Sequence, residues 1–253
     1  MNNNTTDILN IKISRSNLKE TLLILSNAIC ENSKIRVCVL PVNCIVRSIK
    51  NRKLKEMYNS SHMNLADGVP VIWASKFLGA PIRGRVTGMD LLPDFSKVAA
   101  DKGYSFFFLG AKEGVAKHLA EVLKRENPAL NVVGCYSPPF ADRFLPQENE
   151  KIIQMINNVS PNVLWVSLTA PKQDIWIYEN FERLQVNVAI GVGGAFEVTA
   201  GLIKRAPLWM QRHGLEWFYR FVQEPTRLYK RYFIEAPQFI PLVILQKFGL
   251  SKK

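Results

Sequence analysis

The segment YSFFFLGAKEGVAKHLAEVLKR, residues 104–125, gives the clearest indication of the fold. It starts with a mainly apolar run, passes through a loop that contains Gly110 and Gly114, and ends in a helical pattern. A strand that is apolar along its whole length is typical of a parallel sheet buried on both faces. The segment therefore predicts one strand–helix unit of a parallel sheet that is covered by helices on both sides.

The same alternation extends along most of the chain. Short apolar runs that end near Gly, Pro or Thr predict strands at 35–40, 104–109, 130–134, 163–168 and 186–192. Helical patterns are found at 18–29, 44–58, 69–78, 89–102, 114–125, 146–157 and 171–184. The predicted fold class is α/β, and in such sheets ligands bind beyond the carboxyl ends of the strands.

The alternation stops near Gly201. This predicts an α/β core of residues 1–200, which is expected to keep its sheet on its own, and a helical C-terminal appendage of residues 201–253. From Lys204 onward the chain has ten Lys or Arg residues against three Glu, which leaves +7 of the chain's net charge of +12. The appendage is therefore strongly basic, and it is also rich in aromatic residues.

Helical spacing predicts that the basic and the aromatic side chains of the appendage lie on opposite faces. The basic face consists of Arg205, Arg212, Arg220, Arg227, Lys230 and Arg231. The other face consists of Met210, Trp217, Phe218, Phe221, Leu228, Tyr229 and Tyr232. Gly214 and Pro225 interrupt the helix, so the pattern holds only within segments. A surface of this kind suits phosphates at an apolar boundary, as on a membrane.

Composition and charge limit the classes of partner and the cellular location that the protein can have. A pI of about 9.6 predicts an acidic partner, which could be a nucleic acid, an anionic membrane or a phosphorylated substrate. The first sixteen residues lack the apolar core of a signal peptide. No run reaches the about 18 apolar residues that a membrane-spanning helix needs. We therefore expect a cytoplasmic protein with peripheral contact to the inner face of the plasma membrane.

Neither the cysteines nor the histidines predict a metal centre. The four cysteines have no CxxC spacing and lie among apolar residues, which indicates reduced core thiols, with zinc binding as the alternative. They are Cys30, Cys38, Cys44 and Cys135. The three histidines, His62, His118 and His213, are isolated and are interpreted as structural. The chain also has no Asp-x-Asp sequence to hold Mg²⁺, so arginines and helix N-termini could meet the charge of a diphosphate leaving group instead.

Asp67 stands in the sequence NLADG, directly before a helical pattern that opens with Val69 and Pro70. One interpretation is a helix-capping residue, because Asp is favoured at the N-cap and Pro follows at an early helical position. The other is a general base at the rim of a loop, which takes a proton from a substrate hydroxyl. Spacing leaves both interpretations open.

Two polar loops follow predicted strands. In the loop at 109–114, glycines let backbone N–H groups approach a phosphate at a helix N-terminus, although a plain strand-to-helix turn explains them equally well. In the loop at 169–174, Lys172 and Gln173 are expected to project at the ligand end of the sheet. Lys172 could meet a phosphate, and Gln173 could bond a neutral hydroxyl or amide. A capped, solvent-facing turn is the alternative for this loop.

Five ordered blocks of the chain resemble the WecG/TagA/CpsF family of bacterial glycosyltransferases, glycosyltransferase family 26. They are NLADGVPVIWASKFLG at 64–79, GRVTGMDLLP at 84–93, FFLGAKEGVA at 107–116, WVSLTAPKQDIWI at 165–177 and the segment from GVGGAFEVT to LYKRY at 191–232. With the elements between them they cover about residues 35–235. Five blocks in order are far more specific than any single motif above.

The resemblance implies a Rossmann-like, inverting enzyme without an obligatory metal or other cofactor. Such an enzyme transfers an N-acetylmannosamine-, mannosaminuronate- or glucose-type sugar from a UDP donor. The acceptor is a saccharide on undecaprenyl or another polyprenyl diphosphate, at the cytoplasmic membrane face. Products of this kind feed teichoic acid, enterobacterial common antigen, capsule or exopolysaccharide assembly. A homo-oligomer is left open.

The resemblance also assigns residues. Asp67 matches the proposed catalytic base, Gln173 matches the Gln of a Pro-x-Gln block, and the basic positions of the tail match residues thought to close over the diphosphate. The candidates for substrate binding are Asn43, Gln173, Lys172, Gly110, Gly114, Gly193, Arg205, Arg220, Arg227, Lys230 and Arg231. Pro41 and Val42 stand where the family often has Thr before the Asn corresponding to Asn43. Ser167 and Thr169 replace glycines that are common before the Pro-x-Gln block.

Two other classes compete with this hypothesis. A basic nucleic-acid-binding module could grip phosphates and stack bases with interleaved arginine and aromatic residues. A stacking platform needs both kinds of side chain on one face, whereas helical spacing separates them here. A nicotinamide-dependent oxidoreductase on a similar sheet is the second rival, but no strand is followed by GxGxxG. We therefore expect no nucleic acid among the partners.

Overall fold

The computed structural model describes residues 4–250. Its strands are β1 (Thr5–Ile8), β2 (Ile11–Ser14), β3 (Ile35–Pro41), β4 (Met63–Asp67), β5 (Ser105–Gly110), β6 (Asn131–Tyr136), β7 (Val163–Ser167) and β8 (Val188–Gly191). The last six form one parallel sheet in the order β4-β3-β8-β7-β5-β6, and β1 and β2 form an antiparallel hairpin. The predicted parallel sheet is confirmed.

Nine helices accompany the strands up to residue 199 of the described chain. They are α1 (Leu18–Cys30), α2 (Val42–Lys50), α3 (Arg52–Asn59), α4 (Val69–Phe77), α5 (Gly88–Lys102), α6 (Val115–Glu126), α7 (Pro146–Val159), α8 (Lys172–Asn180) and α9 (Ala195–Thr199). The appendage adds α10 (Leu208–Arg212), α11 (Glu216–Gln223), α12 (Pro225–Tyr229), a π-helical segment (Lys230–Glu235) and α13 (Phe239–Lys247). The helical nature of the appendage is confirmed as well.

Alternate residues of the strands pack against opposite helical layers. On one face, Trp165 and Phe106 meet Phe95 of α5, and this cluster also includes side chains of α1, α6 and α9. On the other face, Leu40 packs with α2, α3 and α4, and Val166 packs with α7 and α8. Because successive side chains of a strand point to opposite faces, apolar strands require a layer on each side. Helices therefore cover both faces of the sheet, as predicted.

The sequence pattern did not predict three short strands, which are β1, β2 and β4. Strand β4 contains the buried Asn64, whose amide donates to backbone carbonyls of Lys12 and Tyr58 at 2.9 and 2.8 Å. The hairpin strands have only four residues each, and both turn residues, Leu9 and Asn10, have positive φ angles. Apolar runs do not mark strands this short or this polar, because tertiary hydrogen bonds stabilise them.

The helix predicted at 44–58 is two helices in the structure. Asn51 separates them: it ends α2 with an extended backbone, and its side chain accepts the N–H of Leu54 at 3.1 Å. Asn is favoured at a helix N-cap because its side chain satisfies a backbone donor there. The prediction of one continuous helix is therefore wrong at this residue.

The appendage shares a hydrophobic core with the α/β core. Phe239 and Val243 are buried in the same cluster as Leu40 and the hairpin. The side-chain amide of Gln246 in α13 also accepts the N–H of Leu9 at 2.8 Å. All eight strands precede residue 201, but one hydrophobic cluster crosses that boundary. Whether residues 1–200 keep their sheet without the appendage stays a prediction, but the appendage supplies part of this shared cluster.

Two further expectations can be compared with the structure. All four cysteines are free, and Cys38 and Cys44 are buried, but Cys30 is exposed and Cys135 only half-buried. The prediction of core thiols is therefore wrong for Cys30, which lies at the end of α1. Within residues 4–250, no helix has the length and apolar character needed to cross a membrane.

Candidate active site

The strand register brings the predicted site residues to one edge of the sheet. Pro41 at the end of β3 pairs with Asp67 at the end of β4. Further along, Gly110 of β5 pairs with Ser167 of β7, and the end of β8 pairs with β7. The loops after these strands therefore face a common space at the carboxyl edge, where open α/β sheets bind their ligands.

Asp67 is the last residue of β4, and its side chain is half-buried. Helix α4 begins after Gly68, which has a φ of +119°, and no side chain caps this helix. The interpretation of Asp67 as a capping residue is therefore wrong. Burial raises the pKa of Asp67, and the positive charges of Arg231 and Arg85 partly offset this rise. A carboxylate in this environment is suited to accept a proton.

Four charged side chains beside Asp67 form an ion-pair network. Glu216 accepts from Arg85 Nη1 at 2.7 Å and from Arg205 Nε at 2.8 Å. Asp90 lies 2.7 Å from Arg205 Nη2. The two carboxylates raise the pKa of Asp67 further. The network joins the segment around α5 to the start of α11, and Arg205, a predicted substrate ligand, is part of it.

Gln173 and Asn43, both predicted to bind substrate, are buried. Gln173 is only 1% exposed, and its Oε1 accepts the N–H of Gly193 at 2.9 Å. Gln173 therefore lies at the predicted end of the sheet, but it is buried and bonds the backbone of the turn after β8, so the alternative of a solvent-facing turn is wrong for this residue. Asn43 lies in the first turn of α2, and its Oδ1 has no hydrogen-bond partner among residues 4–250.

Gly193 and Gly194 form a turn after β8 that contacts Arg220. Gly193 has a φ of +55°, and its carbonyl accepts the hydroxyl of Ser167 at 2.6 Å. A Cβ atom on Gly194 would lie 2.9 Å from Nη2 of Arg220, so the guanidinium lies close to the backbone of this turn. Nη1 of Arg220 is buried without a hydrogen-bond partner in the described chain. The guanidinium of Arg220 therefore lies against this turn, and its Nη1 is a hydrogen-bond donor without a partner among the described residues.

The loop between β5 and α6 has an open helix N-terminus. Gly110 has a φ of +108°, and Ala111 donates its N–H to the carbonyl of Ser167 at 2.7 Å. Gly114 precedes α6 with a φ of +81°, and no side chain caps the helix. The hydroxyl of Ser137 donates to the carbonyl of Gly110 at 3.1 Å and holds the loop. The N–H of Val115, the first residue of α6, donates to the carbonyl of Lys112 at 3.0 Å, and phosphate binding by the next N–H groups stays a prediction.

Lys172 contacts the loop after β6. Its ammonium donates to the carbonyl of Ala141 and lies 5.4 and 5.1 Å from the ring centres of Phe140 and Phe144. Burial lowers the pKa of Lys172. This lysine is therefore engaged with the loop after β6, and its contact with a phosphate stays a prediction.

The basic residues of the appendage do not form one continuous face. Glu224 lies 3.1 Å from Arg220 and 2.7 Å from Arg227. Lys230 is exposed, whereas Arg231 acts electrostatically on Asp67. The sequence predicted that this face holds only within segments, and the structure does divide the appendage into several short helices. Arg205 lies in the ion-pair network beside Asp67, Arg231 acts electrostatically on Asp67, and Arg220 contacts the Gly193–Gly194 turn.

Aromatic side chains of the appendage form an exposed cluster. Trp217 packs against Tyr232 and Phe233 with ring centres 5.6 and 6.3 Å apart, and Phe233 also stacks on Tyr229. We call the exposed apolar residues of this region the aromatic surface. It consists of Leu208, Trp209, Trp217, Phe218, Val222, Tyr229 and Phe233. Met210 and Leu228, which the spacing placed on this face, are buried.

Several site residues were missed by the sequence analysis. Arg85 and Asp90 lie in the block at 84–93, which was quoted without a role for either residue. Glu216 is one of three Glu residues in a basic segment, and this contrast was a usable signal. Thr169 has a φ of +67°, in the left-handed region that favours glycine, which is the residue common there in the family. Among residues 4–250, no three His, Cys, Asp or Glu side chains are grouped to hold a metal ion.

The carboxyl edge of the sheet thus carries a half-buried carboxylate with arginines near it, and, after other strands of the same sheet, a glycine turn that contacts Arg220. Arginines and backbone N–H groups can stabilise the charge that develops on a leaving group. The family model for the glycosyl transferase WecG/TagA/CpsF family matches residues 6–253, and the chain belongs to this family. It is therefore a glycosyltransferase, as the resemblance implied. This assignment favours the enzyme hypothesis over the nucleic-acid-binding and oxidoreductase alternatives.

Curated relatives carry a more specific name. A Bacillus subtilis (strain 168) protein is 30% identical over 245 residues, which cover 96% of this chain and 92% of the relative. A Bacillus spizizenii protein is 29% identical over 81% of this chain and 77% of its own length. A Staphylococcus aureus (strain MW2) protein is 29% identical over 68% of this chain and 66% of its own length. Each is named N-acetylglucosaminyldiphosphoundecaprenol N-acetyl-beta-D-mannosaminyltransferase.

Proposed function

We propose that this glycosyltransferase moves an N-acetylmannosaminyl group from a UDP-sugar to N-acetylglucosaminyl-diphosphoundecaprenol. The names of the relatives support this acceptor and this transferred sugar. The UDP donor comes from the family resemblance. The reaction would take place where the lipid acceptor lies, at the inner face of the plasma membrane.

The environment of Asp67 carries the mechanistic part of the proposal. Asp67 takes the proton of the acceptor hydroxyl while the hydroxyl oxygen bonds to the anomeric carbon of the donor. The bond between that carbon and the UDP oxygen breaks in the same step, and UDP leaves with the electron pair. A single displacement of this kind inverts the anomeric configuration. The half-buried position and raised pKa of Asp67 suit a general base near neutral pH.

The charge that develops on the leaving UDP needs a positive environment. Arg220 offers a donor without a partner above the Gly193–Gly194 turn, and the first N–H groups of α6 are uncapped. Arg231 supplies a further positive charge near Asp67. These groups would stabilise a diphosphate without a resident metal ion.

The aromatic surface suits contact with the membrane that carries the acceptor. It combines exposed Trp, Phe and Tyr side chains with nearby cations such as Arg212 and Lys230. Aromatic rings favour the boundary between head groups and acyl chains, and Lys and Arg favour anionic head groups. We propose peripheral attachment through this surface.

A donor screen tests the function. Purified full-length protein is incubated with single UDP-sugars and a synthetic N-acetylglucosaminyl-diphospho-lipid, and release of UDP and glycosylated lipid is measured. We expect turnover with UDP-N-acetylmannosamine and clearly less with UDP-N-acetylglucosamine, because the two sugars differ in configuration at one carbon and an enzyme discriminates substrates by differential binding of their transition states. Asp67→Asn is the matched inactive control. Absence of turnover with every UDP-sugar would contradict the proposal.

A further inference from the structure

Asp174 is a fully buried carboxyl group behind the glycine turn. It lies in the first turn of α8, directly after Gln173. The hydroxyl of Tyr58, which is also fully buried, donates to Oδ2 of Asp174 at 3.3 Å. Oδ1 has no hydrogen-bond partner within residues 4–250. A fully buried carboxylate with one long hydrogen bond is costly to keep ionised, so burial favours the protonated, neutral acid.

The groups around Asp174 do not supply a bound counter-ion. Arg36 and Cys38 of β3, Cys44 of α2 and Tyr58 of α3 are the titratable groups that act on it. Burial raises the pKa of both thiols and of the phenol, so these three are neutral. The guanidinium of Arg36 donates to Met57 and Ser60 instead. Burial accordingly raises the pKa of Asp174 to about 8, although Tyr58 and Arg36 partly offset the rise.

Asp174 is also in contact with the turn that carries the candidate site. A Cβ atom on Gly191 would lie 2.8 Å from Oδ1 of Asp174 and 2.8 Å from both Cγ and Nε2 of Gln173. The end of β8 is therefore pressed against these two side chains. Gln173 in turn accepts the N–H of Gly193. A chain of contacts thus runs from Tyr58 through Asp174 to the turn on which Arg220 rests.

We propose that Asp174 is a positioning residue that works as a neutral carboxylic acid and holds Gln173 and the Gly191–Gly194 turn in place for the leaving group. Ionisation of Asp174 would place a negative charge next to the Gly191–Gly194 turn and attract nearby hydrogen-bond donors toward Oδ1. The turn would shift, and with it the position of Arg220, which contacts the turn. The turnover measurements described below depend on the proposed glycosyl transfer, whereas the titration of the Asp174 carboxyl does not.

The first test measures the titration of the Asp174 carboxyl by NMR in the absence of substrate. The full-length protein carries ¹³C-labelled Asp carboxyls and ¹⁵N-labelled glycine, and Asp174→Asn identifies the signal. We expect the Asp174 carboxyl to titrate near 8, far above its ordinary 3.8, and the Gly193 amide to shift with the same midpoint. A carboxyl that titrates near 4, or a Gly193 amide that ignores the titration, would overturn the proposal. These outcomes do not depend on whether any sugar is transferred.

Stability gives a second measure with a defined sign. The folded state binds this proton more tightly than the unfolded state, so its stabilising contribution is complete below the ordinary pKa of 3.8 and is lost as pH rises through about 8. Asp174→Asn should remove this part of the pH dependence of unfolding. Asp101→Asn, an exposed change in α5, should leave it intact. Equal pH dependence in wild type and Asp174→Asn would overturn the inference.

Turnover separates positioning from packing. Asn keeps the shape and the neutral charge, so Asp174→Asn should stay within about threefold of wild type at pH 7 and should lose less activity above pH 8. Asp174→Ala leaves a cavity and should lower kcat at least about tenfold with a folded protein. Tyr58→Phe is the second variant if Asp174→Ala does not fold. Because the hydrogen bond from Tyr58 lowers the pKa of Asp174, its removal should move the alkaline loss of activity to higher pH. A folded Asp174→Asn that is about 100-fold slower at pH 7 would mean that the ionised carboxylate is needed.

Discussion

Arg47 of α2 and Glu235 at the end of the π-helical segment form a two-point ion pair, with nitrogen–oxygen distances of 2.8 and 3.1 Å across 188 residues of sequence. Glu235 is buried, while Arg47 remains partly exposed. Next to this pair, Phe239 and Val243 enter the core. The ion pair therefore fixes the appendage at the point where it leaves the candidate site and returns to the hairpin.

Breaking this pair is expected to destabilise the protein. Glu235→Ala removes a buried carboxylate that accepts two N–H groups of the partly exposed Arg47, and it should lower the free energy of unfolding by about 1–3 kcal/mol. Urea unfolding measures the change, and Lys230→Ala, at an exposed position, is the control. A double-mutant cycle with Arg47→Ala isolates the pair. A change in Glu235→Ala no larger than that of the control would contradict the expectation.

Deletion from residue 201 onward should now cost stability as well as membrane binding. The deletion removes Phe239 and Val243 from a shared core, and a buried large apolar side chain contributes about 1.5–3 kcal/mol. We expect a strongly lowered melting temperature or insoluble protein. Substitutions in the full chain are therefore the better test of the appendage. A truncated protein that melts like the full chain would show that the shared cluster is unimportant.

Asp67→Asn should abolish the base with little change in shape. General bases contribute about 10²–10⁴-fold, so we expect a loss of kcat in that range with unchanged donor affinity. Because burial raises the pKa of Asp67, the acid limb of kcat/KM in the wild type should lie above the range of an exposed Asp, and activity should fall as pH falls through it. A variant with wild-type kcat would exclude Asp67 as the base.

Arg220 and Arg227 should differ, although they share Glu224. Arg220 is 17% exposed and lies on the glycine turn, whereas Arg227 is 51% exposed. Arg220→Ala should lower kcat by about 10²-fold, as the loss of a donor to a developing charge does, and Arg227→Ala by much less. Binding to anionic vesicles should change little in both variants. Arg212→Ala is the exposed control, and equal losses of turnover in all three would assign the arginines to the membrane.

Chelation is expected to leave turnover largely intact. Arginines and helix N–H groups, rather than a metal ion, are assigned to the diphosphate. Initial rates with and without EDTA provide the measurement, with Mg²⁺ and Mn²⁺ added back. Complete loss in EDTA that either ion restores would show that a metal ion neutralises the leaving group.

Membrane binding should depend on both charge and the aromatic surface. Basic residues contribute about 1 kcal/mol each near an anionic membrane, and salt screens this attraction. Sedimentation with phosphatidylglycerol vesicles should therefore weaken with salt. Trp209→Ala should weaken binding at all salt concentrations, whereas Leu23→Ala, an exposed apolar residue in α1 outside the aromatic surface, should not. Equal effects of the two substitutions would leave the aromatic surface without a special role.

A large part of the fold and of the site follows from local sequence. Fully apolar runs such as the one ending at Leu109 require a sheet covered on both faces, and glycines after strands mark turns that need positive φ angles. Both features depend only on neighbouring residues. The blocks shared with the family predicted Asp67 and Gly193 as parts of a transferase site, and the composition alone indicated a basic, aromatic appendage.

The tertiary structure alone decided which side chains are free and which are engaged. Gln173 was expected to face the ligand, but packing against Gly191 turns it inward onto Gly193. Arg205 was expected on an open basic face, but Glu216 and Asp90 hold it. Periodicity reports the direction of a side chain relative to its own helix. It does not show which side chains of other segments pack against that face. These long-range contacts determine the burial, the electrostatic surroundings and the pKa of each group.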